Sequence, residues 1–400
     1  MQQENRKRQR KPDDQIKFNA ATQYIISELI AANDENQRGW LFRSLRRETF
    51  SASPVKADTF RHVVNGLERL DYIEIIKGGN HRNPFYEPGQ IEYGPGLATR
   101  FRATLELIKR AALAGLEVDQ YKRHFKIKPN LQQVLVKASS QRYRRQKFSG
   151  RTIKYERTEH TKALKRQLGA VNSFLMGQSY YGFEFYGLRR IFNEGDRPDF
   201  NWNMGGRLYA ASQNNYQTLK KAERLKLKIN GEAVAEVDIN ASFLRILHGL
   251  RGFAIPDGKD IYQIDSLDRS IVKAWITSTL GFTKFHRGWP QLALETMSKT
   301  GLARKDIPSY PSITPLILER FPVLRDWGTC GIRWSNLMFE ESEAVIETMV
   351  ALQNESIPSL PVHDSLIVPA SAVDKATCVL KYTLEQRFNV EFKISRSQST

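Results

Sequence analysis

Cysteine is nearly absent: the 400 residues include only Cys330 and Cys378. A disulfide framework and a four-cysteine zinc site are therefore excluded, and a reducing, cytoplasmic setting is expected. Long apolar runs are missing as well. No stretch approaches the ~18 consecutive apolar residues of a membrane span. The first residues, Met1 to Gln15, are polar and lack the apolar segment of a secretory signal. Acid is scarce relative to base: 43 Asp and Glu face 61 Lys and Arg, for a formal net charge of +18. Such a balance points to a polyanionic partner, of which nucleic acid is the commonest. What is present is a 40% hydrophobic fraction, enough for packed cores and too much for a wholly disordered chain. The length suggests two or three domains of roughly 100–200 residues.

Residues 1–14 read as a charged tail, basic from Arg6 to Lys11. A compact pattern follows over 15–96. Ile25, Ile26, Leu29 and Ile30 recur at helical spacing, and Trp40 to Phe50 is a second helix candidate. Pro54 opens a third, with Phe60, Val63, Val64, Leu67 and Leu70 on one face. Tyr72 to Ile76 reads as a strand, Gly78-Gly-Asn80 as its turn, and Phe85-Tyr86 as the start of the return strand. Three helices followed by a ribbon resemble a winged helix-turn-helix. The resemblance implies a helix in the DNA major groove and a ribbon on the backbone, in a module that could read a specific duplex site. Arg61, His62, Lys77, His81 and Arg82 would then face outward, with Arg61, Lys77 and Arg82 on DNA.

Residues 97–200 read as a basic, mostly helical, thumb-like region. Between Lys137 and Arg166 there are eleven Lys and Arg against Glu156 and Glu159. Tyr143, Phe148 and Tyr155 are interleaved among them. Cations release counterions from a phosphate backbone and rings give stacking faces, so Arg142, Arg144, Arg145, Lys147 and Arg151 are expected on nucleic acid. In 201–400, Val234 to Asp238 and Leu360 to Val368 are β-rich runs that each deliver an aspartate.

Five ordered segments carry a second resemblance. Gly206-Arg-Leu208 precedes Gln213-Asn-Asn-Tyr-Gln217. Asp238 opens Asp-Ile-Asn-Ala-Ser-Phe-Leu-Arg-Ile-Leu-His248. Gly258-Lys-Asp-Ile-Tyr262 and Arg269-Ser-Ile-Val-Lys273 follow, and Pro361-Val-His-Asp-Ser-Leu-Ile-Val368 closes the set. Together they resemble the palm of the family A DNA polymerases, with Ser365 closer to the single-subunit phage and mitochondrial RNA polymerases. The resemblance implies an α+β right hand: a palm with an antiparallel sheet, a helical thumb, and helical fingers inserted at about 252–330.

Its implied chemistry is two-metal phosphoryl transfer on DNA. Asp238 and Asp364, with the Ile239 carbonyl, would hold two Mg²⁺ or Mn²⁺ ions. Arg269 and Lys273, four apart on one helix face, would grip the nucleoside triphosphate, and Lys273 would protonate the leaving group. Phe282 would lie beside the nucleotide, and Arg207, Asn214, Arg245 and His363 would touch primer or template. The resemblance departs at Phe243, where the family has Glu; a ring there would block a ribose 2′-hydroxyl by bulk. The family's motif B Tyr is replaced by Gly281. Glu340, Glu341 and Glu343 precede motif C and read as solvated helix charges. Before the basic region there is no room for a proofreading exonuclease of ~150 residues, so no proofreading is expected. The expected protein is a monomeric DNA polymerase recruited to primer–template, serving plasmid or phage replication and not membrane-bound. A primase or RNA polymerase with the same palm, and a non-catalytic DNA-binding initiator, stay open.

Overall fold

A computed structural model of the protein describes residues 9–33, 39–43, 45, 50, 53, 55–79, 98–116, 124, 132–143, 146–148, 150–211, 215–258, 260–282 and 284–398. The chain divides into two compact units, Met1–Leu131 and Gln132–Thr400. The architecture is mixed α and β. Among the described residues no helix is long and apolar enough to cross a membrane.

In the first unit, helix α1 (Pro12–Ala32) is followed by β1 (Leu41–Arg43), α2 (Ala57–Arg69), β2 (Ile73–Ile76), β3 (Thr99–Ala103) and α3 (Leu105–Leu113). The strands form an antiparallel sheet in the order β1-β3-β2. The apolar stripe of α2 is buried as its spacing predicts: Phe60, Val63, Val64 and Leu67 are all inside, while Leu70 ends the helix exposed. Phe60 meets Phe101 of β3 edge to face at 5.6 Å.

Three expectations change here. Leu41–Arg43, inside the second helix candidate, is a strand, and residues 46–49 lie outside the described residues. The partner of β2 is β3, with Ile73 opposite Ala103; Phe85 and Tyr86 lie outside the described residues. A boundary at 96 would cut this sheet, so the unit runs on past α3. The sequence hid β3 because Thr99-Arg-Phe-Arg-Ala alternates inward Thr99, Phe101 and Ala103 with outward arginines, a period that a basic region masks.

The second unit begins with β4 (Val134–Lys137), the hairpin β5 (Gln141–Tyr143) and β6 (Gln146–Phe148), and β7 (Thr152–Ile153). Helix α4 (Glu159–Met176), β8 (Tyr180–Tyr181), β9 (Leu188–Phe192) and β10 (Gly205–Ala210) follow. Strands β10-β9-β4-β7 make one sheet, with β4 and β9 parallel. The region 97–200 is thus mixed rather than mostly helical: among the described residues α3 and α4 are interleaved with strands β3 to β9, and in β4 the β-branched Val134 and Val136 flank Leu135, all three buried.

After a short helix α5 (Lys221–Arg224) come β11 (Lys228–Ile229) and β12 (Glu232–Ile239). Helices α6 (Ser242–Arg251), α7 (Arg269–Leu280), α8 (Gln291–Ser298), α9 (Tyr310–Arg320) and α10 (Trp334–Asn354) lead to β13 (Leu360–Val362) and β14 (Ser365–Pro369). Helix α11 (Val373–Phe388) and β15 (Ile394–Gln398) end the unit. The second sheet runs β13-β14-β12-β11-β8, with β15 also paired to β12. Strand β12 has neighbours along both sides and buries Val234, Ala235, Val237 and Ile239 together with Glu236, so its burial is nearly continuous rather than alternating. The segment 252–330 is helical, with Trp275 stacked on Tyr310 at 5.1 Å.

Helix α6 leaves β12 directly and is pressed against α11 at Gly249. A Cβ added there would meet the Phe388 carbonyl oxygen at 2.5 Å and its Cβ at 2.7 Å. Backbone cannot give way as a side-chain tip can. Gly249→Ala is expected to cost about 1–3 kcal/mol through overpacking, read as a lower urea midpoint at unchanged slope.

Candidate active site

The site is set by strand register. Asp238 is the penultimate residue of β12 and pairs with Ser365, the first residue of β14. Asp364 therefore lies one step beyond, in the turn joining β13 to β14, and its carbonyl accepts a hydrogen bond from Ile239 N at 3.1 Å. The turn has two residues, since Val362 pairs with Ser365. Its first residue, His363, is left-handed at φ 55°. On the other strand Ala241, also at φ 55°, turns the chain sharply into α6. Without an Asp or Asn side chain to bond locally, each left-handed residue costs roughly 1–2 kcal/mol.

These residues open into a cleft of about 690 Å³. Asp238, Ile239, Phe243, Asp364 and Arg207 line it. From α7 come Arg269, Lys273, Ile276, Thr277 and Leu280, one stripe of a helix whose first turn is capped by Asp268 accepting from Ser270 N at 2.7 Å. The sequence-predicted pairs Asp238/Asp364 and Arg269/Lys273 are thus brought to one cavity. Arg269 is not free: its guanidinium is paired with Asp260 and lies 5.5 Å from the Tyr262 ring centre. Burial alone would raise the Asp260 carboxyl, but the Arg269 hydrogen bond and charge hold it below its ordinary value.

The Asp238 carboxyl is pushed up to about 6. Burial is the main cause and the Asp364 charge the next; Lys221 and Lys273 pull the other way.

A third carboxyl was not anticipated in this role. Glu341 of α10 is 1% exposed and lines the cleft. It accepts from Arg207 Nε at 2.9 Å and from Ser242 Oγ at 2.6 Å, joining α10 to β10 and to the start of α6. Its proton affinity is raised to about 7: burial dominates, Arg207 opposes it, and Asp364 adds to it. The expectation that the α10 acids are solvated is corrected. Glu343 pairs with the buried Arg190, and Glu340 takes Arg387 at 2.7 Å. The missed signal was periodicity, for Leu337, Glu341, Ala344, Val345 and Thr348 form one helical stripe. Asp260 and Lys393 also line the cleft and were not singled out.

The other expected contact residues fall in several places. Arg207 is committed to Glu341 and stands 5.6 Å from the Phe243 ring centre, a cation–π distance. Arg245 lines the cleft from α6; it is 2% exposed and held by donating to the Glu391 carbonyl at 2.5 Å. Phe282 stacks on His286 at 4.8 Å and does not line the cleft. His363 is exposed at its turn. Gln217 is structural, donating to the Pro361 carbonyl at 2.7 Å and to the Leu208 carbonyl at 3.0 Å. Arg61 bonds Asp58 and the Leu45 carbonyl, bracing its own unit, while Lys77 is exposed just past β2. Arg151 is exposed beside β7. Arg142 and Lys147 are register partners in the β5–β6 hairpin. Arg82, Arg144, Arg145 and Asn214 lie outside the described residues.

No family model matches the chain, and no curated protein matches it. Among solved structures it is similar to the POL domain of Pol1 from M. smegmatis in complex with DNA primer-template and dNTP, with a TM-score of 0.29 and 13% identity. The match covers 59% of this chain and 51% of that chain, about half its length.

The raised Asp238 carboxyl has a consequence for stability. A group that holds its proton more tightly when folded adds stability at low pH, and this is lost as the pH rises through about 6. Asp238→Asn removes that loss. In a chelator the variant is expected to match the wild type near pH 4 and exceed it by on the order of 1–2 kcal/mol at pH 8. Urea unfolding of both proteins at the two pH values checks this.

Proposed function

We propose that the chain is a metal-dependent, template-directed nucleotidyltransferase that extends DNA. In this reading the β12–β14 sheet is the palm and the helices of 252–330 are the fingers of a right hand. The observation that carries it is the β12–β14 register, which sets Asp238 and Asp364 side by side in one cleft with Arg269 and Lys273. The five ordered motifs converge there.

The residues fit a pair of Mg²⁺ or Mn²⁺ ions. Asp238 and Asp364 are hard oxygen donors, and the Asp364 charge adds to the cost of ionising the buried Asp238, a repulsion that dications relieve. Among the described residues no third acid, His or Cys joins them as a metal cluster. Such a site leaves coordination positions to substrate phosphates and water, as Mg²⁺ sites commonly do. The Ile239 carbonyl would complete the protein's share. Bound there, the ions would activate the primer 3′-hydroxyl and neutralise charge on the leaving pyrophosphate.

The chain's own residues would do the rest. Lys273, unpaired among the described residues, would meet the triphosphate and give its Nζ proton to the leaving oxygen. Arg269 would exchange Asp260 for phosphate. Phe243, held against Arg207, would occupy the space of a ribose 2′-hydroxyl. The first unit reads as a winged-helix module in which α2 and the β2–β3 ribbon meet duplex DNA through Lys77 and its neighbours. The basic β5–β6 hairpin would follow the phosphate backbone.

The test is extension of a labelled primer–template with Mg²⁺ or Mn²⁺, dNTPs and NTPs supplied separately. Extension with dNTPs is expected, with Asp238→Ala, Asp364→Ala and Lys273→Ala each lowering kcat by about 10²-fold or more. No extension by the wild type overturns the reading, and extension with NTPs alone moves it to an RNA polymerase or primase.

Phe243→Ala is expected to lower the dNTP over NTP preference in kcat/KM by roughly 10-fold or more, the scale of one bulky contact. Competition between dATP and ATP on a fixed template measures it, and an unchanged ratio removes Phe243 from that role.

A further inference from the structure

Behind the two carboxylates a buried polar chain leads away from the cleft. Ser365, 2% exposed, directly follows Asp364. Its Oγ lies 3.0 Å from Glu236 Oε1 and 3.0 Å from the Val362 carbonyl oxygen. Glu236, also 2% exposed, sits two residues before Asp238 on β12. It accepts from Arg224 Nε at 3.0 Å on one oxygen and from Arg224 Nη2 at 2.8 Å on the other. Arg224 Nη1 closes the chain by donating to the Leu219 carbonyl at 2.8 Å. None of the three side chains lines the cleft.

The surroundings make this arrangement expensive. Val234, Ala235 and Val237 of β12, and Leu366, Ile367 and Val368 of β14, are buried and apolar. Replacing a buried ion pair by apolar side chains of similar size is often neutral or stabilising, so stability alone is a poor reason for charge here. What the chain does hold is geometry. The Ser365 hydroxyl is within reach of Val362 across the two-residue turn, which keeps His363 left-handed and aims Asp364. Through Glu236 the same hydroxyl ties that turn to β12, and the Asp238–Ser365 pairing makes the tie act on both aspartates.

We propose that Arg224, Glu236 and Ser365 form a positioning chain that fixes the separation of the Asp238 and Asp364 carboxylates for divalent ions. The proposal rests on the reading of that pair as a metal site. It assigns the polar residue after Asp364 to the back of the site, not to substrate.

The test is titration of full-length protein with Mn²⁺, followed by the loss of the free-ion paramagnetic resonance signal, with Asp238→Ala as the blank. Ser365→Ala is expected to weaken the Asp238-dependent binding about 10-fold while unfolding stays cooperative. The Mg²⁺ half-saturation for primer extension should rise in parallel, with the dNTP KM unchanged at saturating metal. Ser365→Thr, which keeps the hydroxyl, should recover most of the affinity, a result that lost packing would not give. Glu236→Gln keeps an acceptor for Ser365 but loses the charge that holds Arg224, and should weaken binding by a smaller factor. It decides the matter if Ser365→Ala does not fold.

Wild-type Mn²⁺ affinity in folded Ser365→Ala, or in Glu236→Gln where that variant must decide, overturns the proposal whatever stability is lost. A wild type that binds Mn²⁺ through Asp238 but extends no primer overturns the polymerase reading and leaves the positioning chain to be judged by affinity. No Asp238-dependent Mn²⁺ binding in the wild type overturns the positioning proposal together with the metal site.

Discussion

The repulsion between Asp238 and Asp364 is the constraint around which the second unit is organised. Backbone pairing, not side-chain attraction, holds them together: β12 and β14 are locked in register, and Ile239 donates to the Asp364 carbonyl. Among the described residues neither carboxylate has an ion-pair or hydrogen-bond partner on its side chain. Holding the pair there costs stability: burial first, and the Asp364 charge next, raise the Asp238 carboxyl. The buried Val234, Val237 and Ile239 of β12 can offset that cost, since each fully buried Val or Ile side chain contributes about 1.5–3 kcal/mol.

Other charges in this unit are sorted by a simple rule. Where an acid is deeply buried it has an arginine: Glu236 has Arg224, and Glu341 has Arg207. The buried Arg190 likewise has Glu343. Arginine suits these places because its planar fork meets a carboxylate in two contacts and stays charged. In the cleft Lys273 offers a compact, mobile cation that can meet an incoming phosphate. The contrast between paired arginines and the unpaired Lys273 separates groups that build the site from groups available to a ligand. Arg269 stands between the two, paired for now with a half-exposed Asp260.

What the sequence made legible follows the same physics. Asp238, Asp364, Arg269 and Lys273 were readable because each sits in a local pattern, a β-rich run or an i, i+4 helix face, and local pattern survives in one dimension. The α2 stripe was readable for the same reason. Glu341 was half legible: its helical stripe predicts an inward position, but nothing local announces Arg207, 134 residues away along the chain. Arg245 was half legible in the same way: its motif brings it to the cleft, but nothing local announces the Glu391 carbonyl that holds it, from the far end of the unit. Strand β3 was lost because its outward arginines merged with a basic region, and β-pairing across a long separation leaves no local trace. Propensity sees the element; it does not see the partner.

Backbone strain brings these threads together. Ala241 and His363 are both left-handed at φ 55°, and each stands close in sequence to one of the two aspartates. A non-glycine residue keeps such a conformation only where its surroundings over-determine it. At Ala241 the surroundings are the end of β12 and the start of α6, where Ser242 is anchored to Glu341. At His363 they are the Val362–Ser365 pair and the hydroxyl that reaches back across it. Two unrelated stretches of chain thus store strain at the same point in space, each backed by a buried carboxylate with its own arginine. A fold optimised for stability would relax both turns with glycine and replace both ion pairs with hydrocarbon. That it does neither, at the place where it also forces two aspartates together, argues that the geometry of the pair is what these residues serve.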